Sequence, residues 1–177
     1  MLTSNQRITP NLWFDDRAEE AARYYVSIFK GSEIGTISRY GSGGPMPEGT
    51  VLTVAFTLEG QSFTALNGGP AFTFNEAVSF IVHCSTQEEV DRYWERLSAG
   101  GDEQAQMCGW LKDKYGVSWQ IVPDALIEFM TDADPEKAQR TMQAMLRMKK
   151  LDIAALRRAH DGTEAASPVV AGVQEGG

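Results

Sequence analysis

The clearest alternation of large and small side chains lies in Thr50–Glu59. One set of positions is Leu52, Val54, Phe56 and Leu58, and the other is Val51, Thr53, Ala55 and Thr57. Because successive side chains of a strand point to opposite faces, this pattern predicts a strand with one large and one small face. We expect the large face to pack on helices and the smaller, more polar face to border a cavity.

A second well-marked stretch is Cys108–Asp124, which predicts a strand, a tight turn at Lys114–Gly116 and a second strand ending at Pro123. Gly116 suits the turn because glycine adopts positive φ without a steric penalty. Val117–Val122 is rich in β-branched and aromatic residues and has the length of a strand.

Hydrophobic spacing and turn residues divide the rest of the chain up to residue 107 into further elements. Strands are predicted at Ile8–Phe14, Ser32–Tyr40, Gln61–Leu66 and Ala77–Cys84, and helices at Arg17–Phe29 and Gln87–Ser98. Gly41–Gly49 has the composition of a loop, and residues 102–107 carry no clear pattern.

These elements occur twice in the same order. Gly60–Asn67 resembles Gly116–Pro123 at an offset of 116 − 60 = 56 residues, and Glu19–Tyr25 resembles Glu88–Trp94 at an offset of 88 − 19 = 69. The repeat predicts an α+β protein with tandem βαβββ modules, which form curved mixed sheets around a cavity. We assign residues 8–70 to the first module and residues 77–123 to the second.

The chain after Pro123 is helical in pattern. We predict a short helix from Asp124 through Met130, a helix over Lys137–Met148 that follows Asp134-Pro135, and a last helix over Ile153–Ala159 capped by Asp152. Residues 124–160 thus form a C-terminal helical extension. Residues 161–177 lack periodicity and are predicted to be a disordered tail.

Composition narrows the classes of function. The formal net charge is −8, from 16 basic and 24 acidic residues, so a nucleic-acid partner is not expected. Apolar runs are too short to cross a membrane, and the N-terminal residues lack the apolar segment of a signal peptide. The two cysteines, Cys84 and Cys108, are expected to be reduced, and we expect a cytoplasmic protein.

Several motifs resemble the vicinal oxygen chelate superfamily, which includes glyoxalase I, bleomycin-resistance proteins and extradiol dioxygenases. They most resemble its PhnB-like branch, labelled demethylubiquinone methyltransferase-like. The motifs are Leu12-Trp-Phe with Ala18-Glu-Glu-Ala21, Ala65-Leu-Asn-Gly-Gly-Pro70, Cys108–Pro123 and Met142–Ile153. This resemblance implies curved sheets, each enclosing a pocket, and a homodimer. It does not imply an activity, because one fold hosts many reactions.

The superfamily's enzymes hold a metal with His, Glu or Gln from the first and last strands of each module. The repeat places Pro10 (or its neighbour Thr9), Thr64, Ser79 and Gln120 at those positions. Only Gln120 is a plausible metal ligand among them, since hydroxyls bind zinc or iron poorly. We therefore expect no metal site and no cofactor. The glycine-rich turn of a typical S-adenosylmethionine site is also missing from the sequence.

The remaining prediction is a cavity for a small, partly aromatic ligand, with apolar walls and a few polar groups. The predicted ligand-binding residues are Thr53, Thr64, Asn67, Phe72, Ser79, His83, Trp110 and Gln120. The aromatic members could equally fill the core, and His83 could be a base or a hydrogen-bonded structural residue. Two functions stay open: a metal-independent module that binds a small molecule, and a metal-independent enzyme of unassigned reaction.

Overall fold

A computed structural model of the chain describes residues 6–163. The first module contains β1 (Asn11–Phe14), α1 (Ala18–Ile28), β2 (Glu33–Arg39), β3 (Val51–Leu58) and β4 (Gln61–Asn67). The second contains β5 (Phe80–Cys84), α2 (Gln87–Ser98), β6 (Asp102–Met107), β7 (Trp110–Lys112) and β8 (Ser118–Pro123). The C-terminal helices are α3 (Asp124–Met130), α4 (Pro135–Met145) and α5 (Ile153–Asp161).

Each module builds one four-stranded mixed sheet, and the two sheets have the same topology. The strand orders are β1-β4-β3-β2 and β5-β8-β7-β6. The pairs β1–β4 and β5–β8 are parallel, and the other pairs are antiparallel. The predicted α+β fold with tandem βαβββ modules and C-terminal helices is confirmed. The sheets remain separate and open, so one chain does not close them into a barrel.

The main core lies between the two long module helices and one face of each sheet. On β3 the large residues Val54, Phe56 and Leu58 are buried, while the smaller residues that alternate with them are half-buried, as the alternation predicts. Small residues on α1 let the helix lie close to the sheet, and Tyr25 is fully buried beneath it. Full burial of a side chain of this size stabilises the fold by about 1.5–3 kcal/mol.

Strand register refines the equivalence between the modules. Thr64 lies opposite Asn11, and Gln120 lies opposite Ile81. If Thr64 and Gln120 are equivalent, their partners Asn11 and Ile81 are equivalent too, at an offset of 81 − 11 = 70 residues. The same offset makes Thr9, and not Pro10, the counterpart of Ser79. The expected Pro10–Ser79 equivalence is therefore wrong by one residue. The connection from β5 to α2 is one residue shorter than that from β1 to α1, which shifts the helix offset back to 69.

The C-terminal helices depart from the predicted bounds for a tertiary reason. Helix α4 ends at Met145 instead of Met148. The carbonyls of Met148 and Lys149 accept hydrogen bonds of 2.8 Å from the backbone amides of Cys108 and Gly109. These bonds hold the chain in a non-helical conformation against the turn before β7, which propensity alone does not indicate.

The last three helices form a small core of their own, which is joined to α2. Its buried members are Leu126, Phe129, Ala144, Leu151, Leu156 and Ala159. The Gln87 side chain donates to the carbonyl of Leu151 at 3.1 Å and accepts from the amide of Ile153 at 2.8 Å. Helix α5 extends through Asp161 and is capped by Gly162, so residues 161–163 of the predicted tail are described, while residues 164–177 lie outside the described residues. Among residues 6–163, no helix is long and apolar enough to cross a bilayer.

Candidate functional site

The face of the second sheet that points away from the core brings together four of the predicted site residues. We call it the open face of the second sheet; it carries Ser79, Ile81, His83, Trp110, Gln120 and Val122. Gln120 lies opposite Ile81 on β5 and opposite Trp110 on β7. Ile81 is 52% exposed although it is a large apolar residue, and Trp110 and Gln120 are half-buried. The open face therefore surrounds a polar centre with accessible apolar surface.

The polar centre of this face is a pair formed by Gln120 and Ser79. The Gln120 Nε2 donates to the Ser79 hydroxyl oxygen at 2.9 Å. Within residues 6–163, the Gln120 carbonyl oxygen accepts no hydrogen bond from the protein. The pair thus orients the Gln120 side chain and leaves its acceptor available to water or a ligand.

Two further predicted residues, Thr53 and Thr64, lie on the corresponding open face of the first sheet. Thr64 is half-buried between Asn11 and Ala55 in the neighbouring strands. The Thr53 and Ser38 hydroxyls are 2.5 Å apart and hydrogen-bonded. Because the two sheets are separate, these residues belong to a different surface from Ser79 and Gln120.

Asn67 has a structural role instead of lining an open face. It is buried, and its Oδ1 accepts from the amide of Ala18 at 2.7 Å while its Nδ2 donates to the carbonyl of Val51 at 3.0 Å. Asn67 therefore satisfies the first amide of α1, because the preceding Arg17 makes no capping hydrogen bond. The expectation that Asn67 lines the cavity does not fit this geometry.

The remaining predicted aromatic and titratable residues are exposed. Phe72 is 66% exposed and meets Trp13 edge to face, with ring centroids 5.0 Å apart. The His83 side chain is 60% exposed, and its Nδ1 lies 3.7 Å from Asp124 Oδ1. The buried thiol of Cys84 has its pKa raised to about 12, chiefly by burial, so it is a poor nucleophile.

Comparison with known proteins agrees with this fold. The model of the 3-demethylubiquinone-9 3-methyltransferase family matches residues 6–122. This chain belongs to that family. The resemblance to the PhnB-like branch is confirmed.

A solved structure of the PhnB protein from Bacillus cereus is 43% identical, with a TM-score of 0.60 over 67% of this chain and 99% of that one. A Pseudomonas aeruginosa protein is 20% identical (TM-score 0.55, 67% and 98% covered). The fosfomycin resistance protein FosX of Listeria monocytogenes is 17% identical (TM-score 0.51, 72% and 98% covered). The last two likenesses show a shared fold. No curated protein matches the chain.

The residues of this family member do not suit the metal site that the superfamily resemblance implies. Sheet register places Thr9, Thr64, Ser79 and Gln120 at the implied positions, and they offer three hydroxyls and one amide. Within residues 6–163, no group of three or more His, Cys, Asp or Glu side chains is placed to hold a metal ion. The donor set does not fit zinc or iron.

One buried carboxylate, which we did not predict from the sequence, joins the two modules. Asp113 Oδ2 accepts from the Tyr25 hydroxyl on α1 and from the Trp119 indole on β8, both at 2.8 Å. Its Oδ1 accepts from the amides of Tyr115 and Val117 at 2.8 and 3.0 Å. Burial raises the pKa of the Asp113 carboxyl, and these four donors oppose the rise. The sequence signal was an aspartate three residues before the turn glycine, a position that favours side-chain bonds to the turn.

Three of the cavities among residues 6–163 bear on the site, and the first of them shares Ile81 and His83 with the open face of the second sheet. The edge cavity, about 290 Å³, lies between the β3–β4 turn and the free edge of β5, with Glu59 and His83 at its rim. The seam cavity, about 380 Å³, lies between the end of β1 and the β7–β8 turn and includes Phe72. A third cavity, about 670 Å³, separates the start of α2 from α5. Thr64, Ser79 and Gln120 line none of these three cavities.

Proposed function

We propose that this chain binds a small, weakly polar organic molecule on the open face of the second sheet, without a metal ion. The observation that carries the proposal is the Gln120 side chain, which Ser79 orients at 2.9 Å while its carbonyl oxygen has no hydrogen-bond donor among the described residues. The half-buried Trp110 and the exposed Ile81 flank it. This combination suits a ligand with one hydrogen-bond donor and an apolar or aromatic body.

The energetic argument concerns the unpaired acceptor. A buried amide oxygen without a donor costs about 1–3 kcal/mol, so a covered face would need a donor there. A ligand that covers Ile81 and donates to Gln120 would gain apolar contact and satisfy the oxygen together. The indole of Trp110 would provide a ring surface for stacking.

We also propose that the protein acts as a homodimer that covers apolar surface left open in one chain. Met107 is 60% exposed at the end of β6, and Met142 and Leu146 are 39% and 60% exposed on and just after α4. Met145 and Met148 pack on the C-terminal core and do not belong to this exposed surface. A second copy of the chain would cover this exposed apolar surface. The cytoplasmic location stays a prediction.

The alternative function is a metal-independent enzyme, and the geometry of His83 favours it. His83 lies two residues beyond Ile81 on the same strand face, and its Nδ1 is 3.7 Å from the Asp124 carboxylate. This separation is longer than a hydrogen bond, and closure to about 3 Å would be needed for Asp124 to orient the imidazole as a base. Recovery of a ligand chemically unchanged after incubation favours binding, whereas recovery of a modified product favours catalysis.

The test is a screen of small organic molecules by thermal shift, followed by calorimetry on the hits. Gln120→Leu and Ser79→Val should each lower the affinity for a hit about tenfold. The first variant removes the acceptor, and the second removes the hydroxyl that orients the Gln120 side chain. Gln104→Leu, an exposed position on β6, is the matched control and should leave affinity unchanged. Hits that bind the Gln120→Leu, Ser79→Val double variant as tightly as the parent would exclude this face. Light scattering on the same samples measures the molar mass, and the mass of a monomer would contradict the proposed homodimer.

A further inference from the structure

The edge cavity differs from the other two described cavities in charge. The seam cavity is bordered by three cations, Arg17, Lys112 and Lys114, and two aspartates, Asp15 and Asp16. In the third cavity the cations Arg157 and Arg158 are balanced by Asp152 and Asp161. No Lys or Arg lines the edge cavity, and Glu59 is the one carboxylate in its lining. Its charge therefore favours a cationic ligand over an anionic one.

The floor of the edge cavity is aromatic. Phe80 lies between Phe63 and Trp119, with centroid distances of 5.3 and 5.4 Å. Phe63 and Trp119 are buried in the core, so their ring positions are fixed by packing, while Phe80 is half-buried at the edge of β5. A rigid aromatic floor of this kind suits a flat ring, and aromatic faces also attract cations.

The rim carboxylate is held in place from the other module. Glu59 occupies the two-residue turn between β3 and β4 with φ of 48°, where Asn, Asp or Gly is usual. Its Oε1 accepts a hydrogen bond of 3.0 Å from the Tyr93 hydroxyl on α2. Among the described residues Glu59 forms no ion pair, and Arg92, which lies over the Tyr93 ring at 4.5 Å, does not line the cavity. The second carboxylate oxygen is thus available to a ligand.

We propose that the edge cavity binds a small aromatic amine, with the protonated amino group on Glu59 and the ring against Phe63, Phe80 and Trp119. The volume of about 290 Å³ is at the small end of ligand pockets, so it fits one ring with a short chain. His83 at the rim offers a second polar contact. The edge cavity shares Ile81 and His83 with the open face of the second sheet, but Ser79 and Gln120 do not line it, so this proposal does not depend on the function proposed for the open face.

The experiment compares two probes of similar size and opposite charge, 2-phenylethylamine and phenylacetate. Calorimetry measures affinity, and NMR follows the Trp119 indole N–H and the amides of Leu58 and Val82, which line the edge cavity but do not lie on the open face. We expect saturable shifts at these positions with the amine, and affinity for phenylacetate about tenfold or more weaker, because its carboxylate would face Glu59. Equal affinity for the two probes, or no saturable shift at these positions, would overturn the proposal.

The deciding variant is Glu59→Gln, which keeps the size of the side chain and an acceptor for Tyr93 but removes the charge. We expect it to weaken amine binding about tenfold, since the charge-assisted hydrogen bond is lost. Glu103→Gln, an exposed position on β6, removes the same charge elsewhere and should not change binding. Gln120→Leu should also leave amine affinity unchanged. Loss of affinity in Gln120→Leu but not in Glu59→Gln would assign the probe to the open face and refute the edge site.

Discussion

Replacement of Asp113 by asparagine should show how strongly one carboxylate ties the two modules together. In the parent, its Oδ2 accepts from both the Tyr25 hydroxyl and the Trp119 indole at 2.8 Å. In Asp113→Asn, we expect the side-chain oxygen to keep the hydrogen bonds from the backbone amides of Tyr115 and Val117. The NH₂ group then faces the Tyr25 hydroxyl and the Trp119 indole. The Tyr25 hydroxyl can rotate to accept, but the indole N–H is only a donor and loses its partner.

The magnitude follows from the burial of that indole. Trp119 is 2% exposed, so water does not replace the lost acceptor, and an unpaired buried donor costs about 1–3 kcal/mol. We therefore expect the free energy of unfolding to fall by about 1–3 kcal/mol. For a domain of this size the midpoint of thermal unfolding should fall by roughly 2–12 °C.

Urea denaturation followed by tryptophan fluorescence measures this loss, and a double-mutant cycle with Tyr25→Phe isolates the contribution between modules. Asp16→Asn, which removes a charge from an exposed position, is the control and should change stability by less than about 0.5 kcal/mol. Unchanged stability in Asp113→Asn would refute the reasoning, because it would mean that the indole needs no acceptor. Additive effects in the cycle would contradict a direct Tyr25–Asp113 contribution.

Two further predictions concern titration and thiol reactivity. Hydrogen bonds from Arg17, and then from the Tyr115 hydroxyl, lower the pKa of Glu20 from its ordinary 4.5 to about 2, so the stability it contributes is present above pH 4.5 and is lost as the pH falls towards 2. The free energy of unfolding, measured between pH 7 and pH 2.5, should therefore fall less steeply with decreasing pH in Glu20→Gln than in the parent. The same pH dependence in both proteins would contradict this assignment. An aromatic disulfide reagent at pH 8 should modify one thiol per native chain, that of the half-buried Cys108, because Cys84 is fully buried with its pKa raised to about 12. The count should rise to two in denaturant, and rapid modification of both native thiols would contradict the burial of Cys84.

The sequence could predict those parts of the candidate site that follow from alternation within a strand. His83 shares a face of β5 with Ile81, and Ser79, which comes directly before β5, bonds to Gln120 on the same side of the sheet. The edge cavity could not be predicted, because it depends on a contact between Glu59 in the β3–β4 turn and Tyr93, which lies 34 residues later in the chain. No sequence spacing marks that contact, since it depends on how α2 packs beside the first sheet.

The helix starts show where local sequence was sufficient and where it was not. Thr86, Asp134 and Asp152 each accept a hydrogen bond from an amide of the helix that follows, as their residue types predict. At α1 the two aspartates before the helix, Asp15 and Asp16, make no capping hydrogen bond, and the buried Asn67 accepts from the amide of Ala18 instead.

By itself the sequence determined the duplicated strand–helix order, the core face of β3 and the start of α2, because each depends on side chains that are neighbours along one element. The tertiary structure alone decided that α4 stops at Met145, that Asp113 bonds to Tyr25, and that the two open faces belong to separate sheets. Each of these depends on a hydrogen bond or a packing contact between residues far apart in the chain. Such contacts depend on the tertiary arrangement, and no local pattern of polar and apolar residues specifies them.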